Sequence, residues 1–192
     1  MYTTARIAKH PIHPMLVAFP IALYVATVVA LIVNAGTHDP FWYRAAFWTN
    51  LAGIVMAGVA AVPGVIDLVT LPRSKARRTG ILHAAANVSA LALFIISCVA
   101  IGESWSHAKA FGDYSQLEVA APLVLGLIGI GCTLVAGWLG WTLVQTHHVG
   151  IKPTTLTAKP MVAAEDIDDL DELELPMSTT TPAEPPRYPL HH

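Results

Sequence analysis

An all-α, four-helix transmembrane bundle is the fold class that this sequence predicts, on three observations. Hydrophobic residues make up 54% of the chain and charged residues 12%, about half the charge content of a soluble domain. Four apolar runs, at residues 15–33, 47–71, 80–102 and 122–144, each approach the roughly 20 residues that cross a hydrocarbon core. None of them alternates with a period of two, so a barrel has no strands to build from, and a backbone in lipid satisfies its own hydrogen bonds as helix. Residues 1–151 therefore form the membrane domain.

The first run follows Arg6 and Lys9 and so invites comparison with a secretory signal. It is longer than a signal core of about 7–15 residues and carries Pro14 and Pro20, which favours an uncleaved first span. Lys and Arg set the orientation. Arg6, Lys9, Arg73, Lys75, Arg77, Arg78, Lys152 and Lys159 lie on one side, against Arg44 and Lys109 on the other. The bias places both termini and the 72–79 connection in the cytoplasm of an inner-membrane, multi-pass protein, with the 34–46 and 103–121 connections outside. Phe41, Trp42, Tyr43, Trp48, Trp105 and Tyr114 fall at the outer interface and Trp138 and Trp141 at the inner one, where amphipathic rings anchor.

Gly129, Thr133 and Gly137 in the fourth run, and Gly53, Ala57 and Ala61 in the second, recur every four residues, the mark of close helix packing. Cys98 and Cys132 lie about six residues out of register on antiparallel helices, about 9 Å, too far for a disulfide. From residue 152 onward the chain turns to Thr, Pro and acid, with seven carboxylates between Glu165 and Glu174. Such a composition buries too little to order itself, so residues 152–192 read as a disordered cytoplasmic tail. Ile167, Leu170 and Leu173 within it offer a redox or cytoplasmic protein partner a short helical face.

The polar residues inside the runs gather at one end. Counting outward from the short 72–79 hairpin, Asp67 and His83 lie at similar depth, with Asn87 one turn deeper on the face of His83. The first span arrives there through His10-Pro11-Ile12-His13-Pro14. Pro14 suits the first helical position, which makes His13 the expected N-cap and holds its imidazole neutral. Ionisable groups within a membrane need partners. Asp67 can accept from His83 or pair with Arg73, Arg77 or Arg78, and Asn87 can bridge helices, together locking the bundle.

Two other uses of the cluster stay open. His13 and His83, from different helices, have the chemistry of axial ligands to a single haem b in an electron carrier. His10, His13, Asp67 and His83 have that of a proton or metal-ion site, with His13, Asp67 and His83 as the metal ligands. Glu103 and His107 are four apart but lack a third ligand.

No phosphate loop, Cys-x-x-Cys, haem attachment motif or nucleophile elbow is present in the sequence. Soluble-enzyme chemistry has no visible foothold. The thinly spread basic residues lack the aromatic interleaving of a nucleic-acid surface, so the bilayer is the expected partner and nucleic acid is not.

The motifs His10-Pro11-Ile12-His13-Pro14-Met15-Leu16-Val17, Phe19-Pro20-Ile21-Ala22, Asp39-Pro40-Phe41-Trp42 and Gly64-Val65-Ile66-Asp67, with His83 and Asn87, resemble a bacterial membrane family catalogued as domain of unknown function 2231. The resemblance runs over about residues 8–145. It implies a four-helix inner-membrane module of unassigned activity, and relatives joined to iron-sulfur domains lean it toward redox. Many members carry a His where this chain has Ala18, one ligand fewer for haem. The sequence thus predicts a non-enzymatic membrane module whose His/Asp/Asn pocket stabilises the bundle and binds a small ligand or partner.

Overall fold

The computed structural model describes residues 6–7 and 10–149, with side chains from residue 12 onward. The tail at 152–192 and the side chain of His10 lie outside the described residues. A two-residue antiparallel pairing of β1 (Arg6–Ile7) with β2 (His10–Pro11) leads into five helices, α1 (Ile12–Leu16), α2 (Ala18–Thr37), α3 (Pro40–Thr70), α4 (Lys75–Phe111) and α5 (Ala120–Gln145). Four spans, 12–37, 40–70, 75–111 and 120–145, are long and apolar enough to cross a membrane. The all-α class predicted from the runs is the class observed.

Pro20 explains why the first span is split. It has no N–H, so the carbonyl of Leu16 has no donor four residues on. Val17 nevertheless keeps helical dihedrals (φ −66°, ψ −20°), so hydrogen bonding is interrupted while the direction is kept. His13 lies inside α1 instead of capping it, because the helix already begins at Ile12.

The helices outrun the apolar runs at the end away from the 71–74 connection. There the carboxylate of Asp39 accepts from the amide of Phe41 at 2.9 Å, with Pro40 at the first position of α3, a strong start signal. The connection expected at 34–46 shrinks to His38 and Asp39. Helix α4 likewise continues to Phe111 before Gly112 (φ 70°) ends it in a left-handed cap. Ser74 starts α4 at the opposite end, its hydroxyl accepting from the amide of Arg77.

α2 packs mainly on α3 and α4 on α5, with lesser contacts between α3 and α4 and between α2 and α5. That places α2 and α4 on one diagonal of the bundle. The buried positions then reveal an internal repeat. Five of the seven in α2 recur in α4 seventy residues later, as Pro20/Ala90, Tyr24/Phe94, Thr27/Ser97, Val28/Cys98 and Leu31/Ile101. Four of the six in α3 recur in α5 seventy-six residues later, as Ala46/Pro122, Asn50/Gly126, Gly53/Gly129 and Ala60/Ala136. Two helical hairpins are thus related by a pseudo-twofold axis running along the bundle. On that axis the rings of Tyr24 and Phe94 stack with centroids 3.7 Å apart and planes 2° from parallel.

Each of these rings lies over a glycine. A Cβ on Gly53 would come within 2.8 Å of Tyr24, and one on Gly129 within 2.7 Å of Phe94. The close-packed stripe therefore runs through Gly53, Ala60 and Gly64 on α3, and through Gly129, Ala136 and Gly140 on α5. Gly137 and Ala61, expected in the stripe, are exposed. Of the expected interfacial aromatics, Phe41, Trp48, Trp138 and Trp141 face outward. Tyr43 instead is fully buried, and its hydroxyl donates to the carbonyl of Glu118 at 2.7 Å. Cys98 and Cys132 are both free.

Candidate functional site

Two histidines meet at the end of the bundle that carries the 71–74 connection. His13 reaches it from α1 and His83 from the first third of α4, and their ring centroids are 6.1 Å apart with planes at 87°. Each ring is fastened to the partner helix of its own hairpin. Nδ1 of His13 lies 2.8 Å from the carbonyl oxygen of Ala60, and Nδ1 of His83 lies 2.8 Å from that of Ala136. A carbonyl only accepts, so Nδ1 carries the proton in both rings and Nε2 carries the lone pair.

The two anchorages are repeats of one another. His13 and His83 differ by the same seventy residues as Tyr24 and Phe94, and Ala60 and Ala136 by the same seventy-six as Gly53 and Gly129. One turn beyond each alanine stands a glycine against the imidazole. A Cβ on Gly64 would lie 2.8 Å from His13, and one on Gly140 would lie 3.2 Å from His83. Pro63 lies beside the first anchorage and cannot donate to the carbonyl of Val59, while the second anchorage reaches the same 2.8 Å bond without a proline.

Asn87 is where the halves differ. Its amide donates to Nε2 of His83 at 3.1 Å and to the carbonyl of His83 at 2.9 Å, so it stays on its own helix and does not bridge to another. The equivalent position in the first half is Val17, which can do neither. His83 is thereby satisfied at both nitrogens by Ala136 and Asn87, and the bond expected from it to Asp67 is replaced. Asp67 is half-buried on α3, three residues beyond Gly64. Arg77, an expected partner of Asp67, donates to the carbonyl of Leu71 at 3.4 Å and closes the end of α3.

Among the described residues, no group of three His, Cys, Asp or Glu is placed to hold a metal ion. The triad of His13, Asp67 and His83 expected for a bare cation is therefore not assembled. Glu103 is exposed, and His107 contacts the ring of Phe111 instead of a third ligand. Sequence reasoning found both histidines and Asn87 but missed Ala60, Gly64, Ala136 and Gly140. Their signal was a pair of Ala-x-x-x-Gly steps on α3 and α5, each facing a histidine. It also missed a second polar layer deeper in the bundle, where the hydroxyl of Tyr24 and both amide atoms of Asn50 are buried without a hydrogen-bond partner.

Helices of this length and apolarity, joined in two hairpins, define a polytopic membrane protein. The family model described as predicted membrane protein, domain of unknown function 2231, matches residues 9–153, and the chain belongs to that family. No curated protein and no solved structure matches it.

Proposed function

We propose that this chain is a non-enzymatic inner-membrane module that works at its cytoplasmic end, where His13 and His83 each fasten the helices of one hairpin and together take up a small ligand or partner. The observation that carries this reading is the doubled anchorage, His13 on Ala60 and His83 on Ala136. Each bond joins two helices, and interhelical side-chain bonds in membranes contribute about 0.6 and up to about 2 kcal/mol. The orientation rests on Arg73, Lys75, Arg77 and Arg78, which lie at the same end of the bundle as the pair.

Removing either imidazole deletes the bond and leaves a gap against glycine. His13→Ala and His83→Ala should each lower stability in detergent by about 1–3 kcal/mol. Asparagine, whose side-chain N–H sits where imidazole Nδ1 does, should restore most of that loss. Unchanged melting in both alanine variants would remove the fastening role.

A further inference from the structure

We infer that His13 and His83 are the two axial ligands of one metallotetrapyrrole, a ligand class exemplified by haem. The inference rests on the reading of the pair as a ligand-ready site and names what that site takes.

The repeat supplies the first argument. A site built from equivalent groups of two equivalent hairpins, with ring centroids 6.1 Å apart, brings two like donors together. Each donor is in the form a metal requires, because Nδ1–H is committed to a backbone carbonyl and the lone pair is left on Nε2. A backbone partner of this kind fixes the tautomer and orientation of a ligating imidazole.

Spacing supplies the second. Metal–nitrogen bonds of about 2.0 Å, together with the radii of two imidazoles, set the ring centroids of a bis-imidazole centre about 6 Å apart. The observed separation is 6.1 Å. The number of donors supplies the third. Two imidazoles without a third His, Cys, Asp or Glu among the described residues under-coordinate a bare divalent ion, whereas a tetrapyrrole brings four equatorial nitrogens and needs only the two axial positions.

The walls at this level are small. Gly64 and Gly140 back the rings. Asn87 then acts as the guard. It occupies Nε2 of His83 and has to release it, keeping its second bond to the carbonyl of the same residue.

The test is titration of the full chain, purified in detergent, with ferric protoporphyrin IX. One equivalent should give the absorption spectrum of a low-spin, bis-imidazole centre. His13→Asn and His83→Asn should each abolish that spectrum while retaining near-normal melting, since they keep the bond to Ala60 or Ala136. Asn87→Val, which copies Val17, should bind about fivefold tighter, the worth of one hydrogen bond. Absence of a low-spin spectrum, or one that persists in both asparagine variants, overturns the assignment. In that event, destabilised alanine variants would still support the fastening role, so the two proposals fail separately. Weaker binding by Asn87→Val would overturn the guard.

Discussion

The two hairpins reach the same imidazole geometry by different backbone routes. In the first, His13 sits one residue into a span that Pro20 splits at Val17, and it presses on a helix containing Pro63. In the second, His83 belongs to an unbroken 37-residue helix without proline. What they share is a contact pattern: a ring over glycine in the middle of the bundle, and an imidazole on alanine and glycine at its end. Their differences are mainly polar. Tyr24, Asn50, Asp67 and Asn87 stand opposite Phe94, Gly126, Leu143 and Val17. Packing repeats because both hairpins must close on the same axis, and chemistry is free to differ between them.

The comparison breaks most readily at the paired rings. Gly53→Ala and Gly129→Ala each thrust a methyl to within 2.8 and 2.7 Å of Tyr24 and Phe94. Neither ring can retreat, because the other lies 3.7 Å behind it. Both variants should lose about 1–3 kcal/mol in detergent unfolding. Gly137→Ala, with nothing within 4 Å, should gain about 0.5–1 kcal/mol from helix propensity alone. Equal behaviour of all three would dissolve the repeat as a packing device.

A smaller effect separates the two anchorages. The added methyl at Gly64 meets His13 at 2.8 Å, while that at Gly140 meets His83 at 3.2 Å. Gly64→Ala should therefore cost about 1–2 kcal/mol and Gly140→Ala less than about 1, measured by the same unfolding. The reverse order would show that the first imidazole is the looser of the two.

Tyr24→Phe is the mildest change, and it makes the central stack symmetric. The hydroxyl it removes is buried without a partner, so the variant should be neutral or more stable by up to about 1 kcal/mol. A loss instead, with an ordered water then sought between Tyr24 and Asn50, would show that the hydroxyl is satisfied in the membrane.

Four spans and the site end of the bundle were legible in the sequence because apolar length and the clustering of His13, Asp67, His83 and Asn87 need no tertiary information. The helix ends were not. Residues 40–46 and 103–111 include Arg44, Glu103 and Lys109, so hydropathy stops there while capping by Asp39 and Gly112 carries the helices on. The repeat was hidden for a different reason. Few of the matched positions are identical, and the offset changes from seventy to seventy-six because the far connection is six residues longer in the second half, 112–119 against 38–39. Size at a contact repeats where residue type does not. Pairing partners such as Ala60 for His13 emerge only once α3 is laid beside α1.

A unit of two spans has one property that a unit of one or three lacks. It leaves the bilayer on the side where it entered, so a second copy joined by a short link threads in the same sense as the first. Any side chain near the start of the unit is then presented twice at one surface, facing its own duplicate across the rotation axis. A solitary donor becomes a pincer through topology alone, without a separate structural solution for each arm.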